Sequence, residues 1–333
     1  MIKFPQSKQF LVFWFVVTLA LLSSNIVSAQ PKTSPQESYD RGILLYQQNK
    51  YTEARPFLTI ALEHGYPAAG LMLADTYKTN IFAQTKKEAK YLLKAAELGN
   101  FIAMFRLGGS RSIHANRQDW DAIVIPEIKR LAKRDYPYAM RLMHALSVDD
   151  SESDQWLERA ANSGDPFSQH KLAKRYKNGY DWFLIPGKRE RELERLLKAA
   201  SDSGYREGML AYAKLLKKNG DIQGYQKIID ELVVLGDAET IRTLGAIYEH
   251  EGDLINAAYY NQIFLNSMGN ESHNDPYKTV ENFQNRIVAN LTEQELAEID
   301  SKVAEYLATH TVHYQKRIEE YEYTLESLRQ QTK

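Results

Sequence analysis

One recurring phrase constrains the fold of this 333-residue chain more than any other feature. Ala61, Ala95, Leu131, Ala160, Ala200, Leu232 and Leu265 each stand four positions before Gly65, Gly99, Asp135, Gly164, Gly204, Gly236 and Gly269, at intervals that average 34 residues. A glycine, or once an aspartate, at such a place suits the left-handed backbone through which a helix leaves its last turn. Four residues after the first six markers stands a small side chain: Ala69, Ala103, Ala139, Ser168, Gly208 and Thr240. Eight and nine residues after them stand Leu73–Ala74, Leu107–Gly108, Met143–His144, Leu172–Ala173, Tyr212–Ala213 and Leu244–Gly245. Offsets of four, eight and nine share one face of a 3.6-residue helix, and small residues there admit a second helix closely. Each repeat therefore reads as a helical hairpin. A hairpin of this size cannot bury its apolar face alone, so successive hairpins must stack into a solenoid.

The phrases Tyr91–Gly99 and Trp156–Gly164, with Leu172–Tyr176 and Leu244–Tyr248, resemble the Sel-one-like repeat, a relative of the tetratricopeptide repeat. The first unit, with Gly42, Ala54, Leu58 and Ala61, has closer tetratricopeptide spacing. The resemblance covers about residues 38–270 and implies an all-α, right-handed α/α superhelical solenoid of about seven hairpins with a C-terminal helical cap. It also implies binding and assembly rather than catalysis. The pattern is broken in three places: Arg111 replaces an aromatic before the irregular stretch 112–121, the turn around 147–153 is short and acidic, and an apolar loop, Gly179 to Gly187, is inserted. That loop reads equally as a partner contact or as a cover for a gap in the core. Tyr77, Tyr176 and Tyr248 read as core aromatics at one repeat position.

The chain opens on a segment of a different kind. Lys3 and Lys8 precede an apolar run, Phe10 to Leu22, and then Val27-Ser28-Ala29. This is the pattern of a secretory signal, with cleavage expected after Ala29. The 13-residue run falls short of the roughly 20 needed to span a bilayer. Residues 30–37 read as a flexible leader. The expected location is the periplasm or the exterior, with membrane contact only through an uncleaved signal segment. No cysteine is present, which excludes disulfides, thiol catalysis and Cys-ligated zinc, and the formal charge of −1 offers no general attraction to nucleic acid.

In tetratricopeptide-like hairpins the groove is lined by the first helix, here at offsets six, ten and thirteen from each marker. These positions are mixed in the early repeats, with Leu71, Asp75, Lys78, Phe105, Gly109 and Ser112. In the middle repeats they hold Arg141, His170, Lys174, Lys177, Lys214, Lys217 and Arg242, a basic stripe on one inferred surface beside Ala145, Val148, Leu210, Ala246 and Glu249. Such a stripe would take an acidic peptide segment of a protein partner, or an acidic glycan.

Beyond Asn270 the period stops. Thr292 and Glu295 form a capping box, and Leu307, Thr311, Tyr314, Ile318, Tyr321, Leu325 and Leu328 follow at heptad spacing. The spacing predicts a helix over 307–331, laid as a cap on the last hairpin or pairing two chains, so that a monomer or a weak homodimer through 307–328 is expected. His310 and His313 would share a face of that helix. The acidic run Asp149, Asp150, Glu152 and Asp154 lacks the spacing of a calcium loop, and no phosphate loop, zinc-protease or serine-hydrolase motif occurs, so no metal and no cofactor are expected. The reading is a non-catalytic interaction scaffold of the cell envelope that grips its partner along the concave repeat surface. Envelope assembly or polysaccharide export is the setting the resemblance implies. Two other classes are an envelope or carbohydrate-active enzyme of unrecognised type and a secreted factor acting on another cell's proteins.

Overall fold

The computed structural model describes residues 34–79, 84–108, 119–180, 183–271, 276–316 and 318–330. The expected signal segment, its cleavage point at Ala29, and Gly109, Arg111 and Ser112 lie outside these. Helices are set off by local chemistry. Ser34, Thr85, Asp119, Asp149, Asp165, Asp221, Asp237, Asp253 and Thr292 each accept a hydrogen bond from a backbone N–H of the following helix, and prolines 35, 67, 137 and 166 occupy first-turn positions.

Seven consecutive hairpins result: α1 (Pro35–Gln47) with α2 (Tyr51–Glu63), α3 (Pro67–Thr76) with α4 (Lys86–Glu97), α5 (Phe101–Gly108) with α6 (Trp120–Ala132), α7 (Pro137–Leu146) with α8 (Asp150–Asn162), α9 (Pro166–Lys177) with α10 (Lys188–Asp202), α11 (Arg206–Lys218) with α12 (Ile222–Val234), and α13 (Ala238–Glu251) with α14 (Leu254–Ser267). A further pair, α15 (Tyr277–Val288) and α16 (Glu293–Thr309), covers the seventh hairpin, where Val280, Ile287, Ile299 and Val303 pack with Ile263 and Phe264. The fold is an all-α solenoid. Its small residues work as the spacing predicts: Ala69, Ala103, Ala139, Ser168, Gly208 and Thr240 are all buried, and a Cβ on Gly208 would sit 2.6 Å from that of Ala200. Tyr77 stacks on Tyr91 and Tyr248 on Tyr260, ring on ring across a hairpin, at 5.5 and 5.6 Å.

Six of the seven markers adopt the left-handed backbone, including Asp135 at φ 57°. Gly269 does not. A Cβ there would lie 2.7 Å from the Asn49 carbonyl, because its N–H donates to the Gln48 carbonyl of the first hairpin at 2.7 Å. Next to it the Thr52 hydroxyl donates to the Glu271 carboxylate at 2.6 Å. The loop after the seventh hairpin thus touches the turn of the first, and the solenoid closes on itself.

The predicted helix over 307–331 does not form. Its chain leaves α16 at His310 in extended conformation and returns along the inner face as a strap, with only the short helices α17 (Ile318–Tyr321) and α18 (Leu325–Gln330). His313 pairs in parallel with Asp237, donating from its N–H to the Gly236 carbonyl and accepting from the Ala238 N–H, while Tyr314 donates to the Gln47 carbonyl. Further on, Thr324 pairs with Asn100, Phe101 donates to the Tyr323 carbonyl and Leu325 donates to the Gly99 carbonyl. The heptad residues are consumed inside the chain: Leu328 is fully buried among Trp120, Ile128 and Met140, and Ile318 packs with the first hairpins. The seam for a second chain is absent, and His310 and His313 lie on no common helix. The reason is competition. Threonine and tyrosine make a weak seam, whereas the strap buries Ile318 and Leu328, half-buries Tyr314, Tyr321 and Leu325, and pairs its backbone with the joints between hairpins.

Lys316 fixes the crossing point. Its ammonium donates to the Tyr46 carbonyl at 2.8 Å and to Asn49 Oδ1 at 3.0 Å, and it lies 4.1 Å from the Tyr46 ring centre. Leu328→Ala is expected to lower the unfolding free energy by about 2–5 kcal/mol through an unfilled cavity. Lys316→Met should cost about 1–3 kcal/mol by stranding buried acceptors. Urea titration reads both, and unchanged midpoints would show that the strap merely lies on the surface.

Candidate functional site

The first helices of the hairpins face the strap, so the inner face is divided into an occupied part and an open part. In the early hairpins Asp75 accepts from the hydroxyls of Tyr46 and Tyr321 and pairs with Arg106 at 2.7 Å. Arg106 also meets Glu88 at 3.4 Å, completing a charge cluster under the strap. Asp75 is therefore spent on the chain's own tail.

The predicted basic stripe is not one surface. Arg141 is buried, paired with Asp165 at 3.2 Å and with Glu320 of the strap at 2.7 Å, and it lies over the rings of Tyr138 and Phe167. It is a clasp for the tail. Arg242 is bound to Glu239 one turn away at 2.5 Å and faces an open hollow of about 740 Å³ beside the strap, with Tyr205, Arg206 and Lys316. Lys217 turns to its hairpin partner and rests 4.9 Å from the Tyr225 ring centre.

Four of the seven residues do come together. His170, Lys174 and Lys177 on α9 and Lys214 on α11 line a cleft of about 440 Å³, and Lys218 joins them. The floor is apolar, with Leu193 and Leu197 of α10 and Leu210, Ala211 and Leu215 of α11. The geometry follows from the helices. Positions 170, 174 and 177 run along one face of α9, positions 214 and 218 lie one turn apart on α11, and the buried Ala173 and Ala213 between them let the helices approach. Among the described residues no carboxylate lies within ion-pair distance of Lys174, Lys177, Lys214 or Lys218. Glu207 sits at the rim. Lys218 was missed because only offsets six, ten and thirteen were read as groove-facing. Its signal was present in the i, i+4 pairing with Lys214.

Burial holds His170 below its ordinary value of 6.5, with Lys174 and Arg206 pushing the same way and Glu207 opposing. The imidazole is neutral at pH 7 and donates no charge to the cleft. Chemically the cleft offers mobile cations over an apolar floor. The described residues hold no group of three or more His, Asp or Glu arranged for a metal ion. The acidic run instead caps and pairs: Asp149 caps α8, Glu152 accepts from the Trp156 indole, and Asp154 pairs with Arg175.

No family model and no curated protein matches the chain. Among solved structures it is similar to a protective antigen of uropathogenic Escherichia coli displaying an SLR fold, with 18% identity and a TM-score of 0.44 over 84% of this chain and 62% of that one. It is also similar to a Sel1 repeat protein from Oxalobacter formigenes, with 20% identity and a TM-score of 0.37 over 68% of this chain and 98% of that one. The solenoid itself rests on the helical packing described above.

As pH falls, the unfolded chain binds a proton at His170 before the folded one, so the stability tied to a neutral imidazole is complete above about pH 6.5 and declines below it. His170→Gln should flatten the fall in unfolding free energy between about pH 7 and pH 5. Equal slopes for the two proteins in urea titrations would remove His170 from the pH response.

Proposed function

We propose that this protein is a non-catalytic interaction scaffold of the cell envelope, exported by its first 29 residues to the periplasm or the exterior, that grips a partner protein by an acidic segment. The observation that carries this reading is the cleft at α9 and α11. Four lysines without carboxylate partners among the described residues surround an apolar floor, on the part of the inner face that the strap leaves open. Unpaired cations above buried apolar surface suit a segment that alternates Asp or Glu with Leu, Ile or Phe. The carboxylates would meet the lysines and the apolar side chains would enter the cleft. An acidic glycan would satisfy the rim and leave the floor unused, which favours a peptide.

Binding of this kind is driven partly by charge and weakens with salt. Photo-crosslinking in cells from positions 174 and 214 should capture the same protein. The double charge reversal Lys174→Glu and Lys214→Glu should weaken capture by about tenfold or more at low salt, since each lost charge pair in a partly desolvated groove is worth about 0.5–2 kcal/mol. Undiminished capture by the reversed protein would overturn the reading.

A further inference from the structure

The inserted loop between α9 and α10 takes no part in hairpin packing at its tip, yet from Phe183 onward it is held by defined contacts. Phe183 turns inward and meets Tyr176 of α9 edge to face, with ring centres 4.9 Å apart. The Arg189 guanidinium lies over the same Phe183 ring at 5.5 Å. The Lys188 N–H donates to the Ile185 carbonyl at 3.1 Å, and Gly187 takes a left-handed backbone at φ 73° to open α10. Among the described residues, three large side chains of the loop then stand in solvent. Leu184 is 88% exposed, Ile185 58% and Tyr180 72%. Of the two readings its sequence allowed, Phe183 supplies the cover over the hairpin, and the tip projects beyond it.

Adjacent exposed leucine and isoleucine on an anchored loop carry a hydration cost that the fold does nothing to relieve. Their surroundings specify what would relieve it. Between residues 183 and 191 stand Lys188, Arg189 and Arg191 against the one carboxylate Glu190, and Lys188 and Arg191 are exposed. An exposed apolar tip followed within six residues by exposed long cationic side chains matches an anionic bilayer surface: the aliphatic groups enter the acyl boundary and the cations meet headgroup phosphates. An apolar groove on a protein would use the tip and leave the cations idle.

We infer that the described part of the loop, residues 183–191, is a peripheral membrane-contact element, which inserts Leu184 and Ile185 into an anionic lipid surface while Lys188 and Arg191 bind the headgroups. The near-zero net charge of the whole chain does not oppose this, because the attraction acts within about 10 Å of the loop. The inference goes beyond the scaffold reading and does not rest on the cleft. A membrane contact here would hold the scaffold at the envelope surface, whatever protein the cleft takes.

The test uses the chain from Gln30 onward, which contains every described element and lacks the apolar run of the signal segment. It should sediment with vesicles of equal parts phosphatidylglycerol and phosphatidylcholine and stay in solution with phosphatidylcholine alone. Leu184→Ser with Ile185→Ser should reduce partitioning roughly tenfold, and Lys188→Glu with Arg191→Glu should reduce it by a similar factor. Because the chain has no cysteine, Leu184→Cys carries a single environment-sensitive fluorophore. Its emission should shift to the blue and be quenched by lipids with a quencher in the acyl chain, while the same dye at Val148→Cys, a fully exposed site on another hairpin, should not change. Three results would overturn the proposal: no sedimentation with the anionic vesicles, equal sedimentation of the Leu184 and Ile185 variant, or equal binding to uncharged vesicles. Failure with vesicles together with capture of a protein through a crosslinker at position 184 would assign the tip to a protein groove.

Discussion

The strap from His310 to Gln330 is the constraint on which the rest of the structure depends. An open row of hairpins is stabilised only between neighbours, and its two ends do not communicate. Here one segment pairs its backbone with the joint at Gly236 and Ala238, crosses to Gln47, and pairs again at Gly99 and Phe101. Residues that are far apart along the row are bound to the same few strap residues. Together with the Gly269 to Gln48 contact, this joins the two ends of the row and leaves an open hollow beside the strap. The glycines are needed for more than helix termination. The Thr311 carbonyl passes so near Gly236 that a Cβ there would lie 2.2 Å from it, so the left-handed joint also leaves the space in which the strap lies.

Closure decides which charges are available. Burying Arg141 is tolerable because two carboxylates and two aromatic faces receive it, and one of those carboxylates, Glu320, belongs to the strap. Asp75 is engaged in the same way by Tyr321 and Arg106. What remains open is the cleft of the fifth and sixth hairpins, and Lys174, Lys177, Lys214 and Lys218 there have no such partners among the described residues. The functional surface is thus defined by subtraction: it is the part of the inner face that the chain does not use on itself.

The cleft and the inserted loop both arise at α9, yet they follow different rules. The cleft lies between first helices and is a product of the repeat. The loop is a departure from the repeat, and its tip escapes the packing between hairpins. A scaffold that held its partner in the cleft and its own position through the loop would keep the two functions on adjacent but separate side chains.

The repeat was legible from the sequence because its cause is local. A left-handed glycine ends a helix, small residues recur where helices must touch, and aspartate, serine or threonine caps the next turn, all within some forty residues. The fold class, the hairpins and the stacked tyrosines follow from such short-range chemistry, and so do the four cleft residues His170, Lys174, Lys177 and Lys214, which lie at one helical register. The rest could not be read in this way. Heptad spacing at Ile318, Tyr321, Leu325 and Leu328 fits a helix locally, and only the presence of unpaired backbone at the joints and an apolar recess beside Trp120 and Met140 makes the extended strap the better burial. Arg141 carries the same charge as Lys174. Whether it serves a partner or the chain itself depends on Glu320, which is brought beside it only when the solenoid closes. Short-range stereochemistry was written in the sequence, whereas the tertiary structure alone decided which of the prepared surfaces the chain keeps for itself.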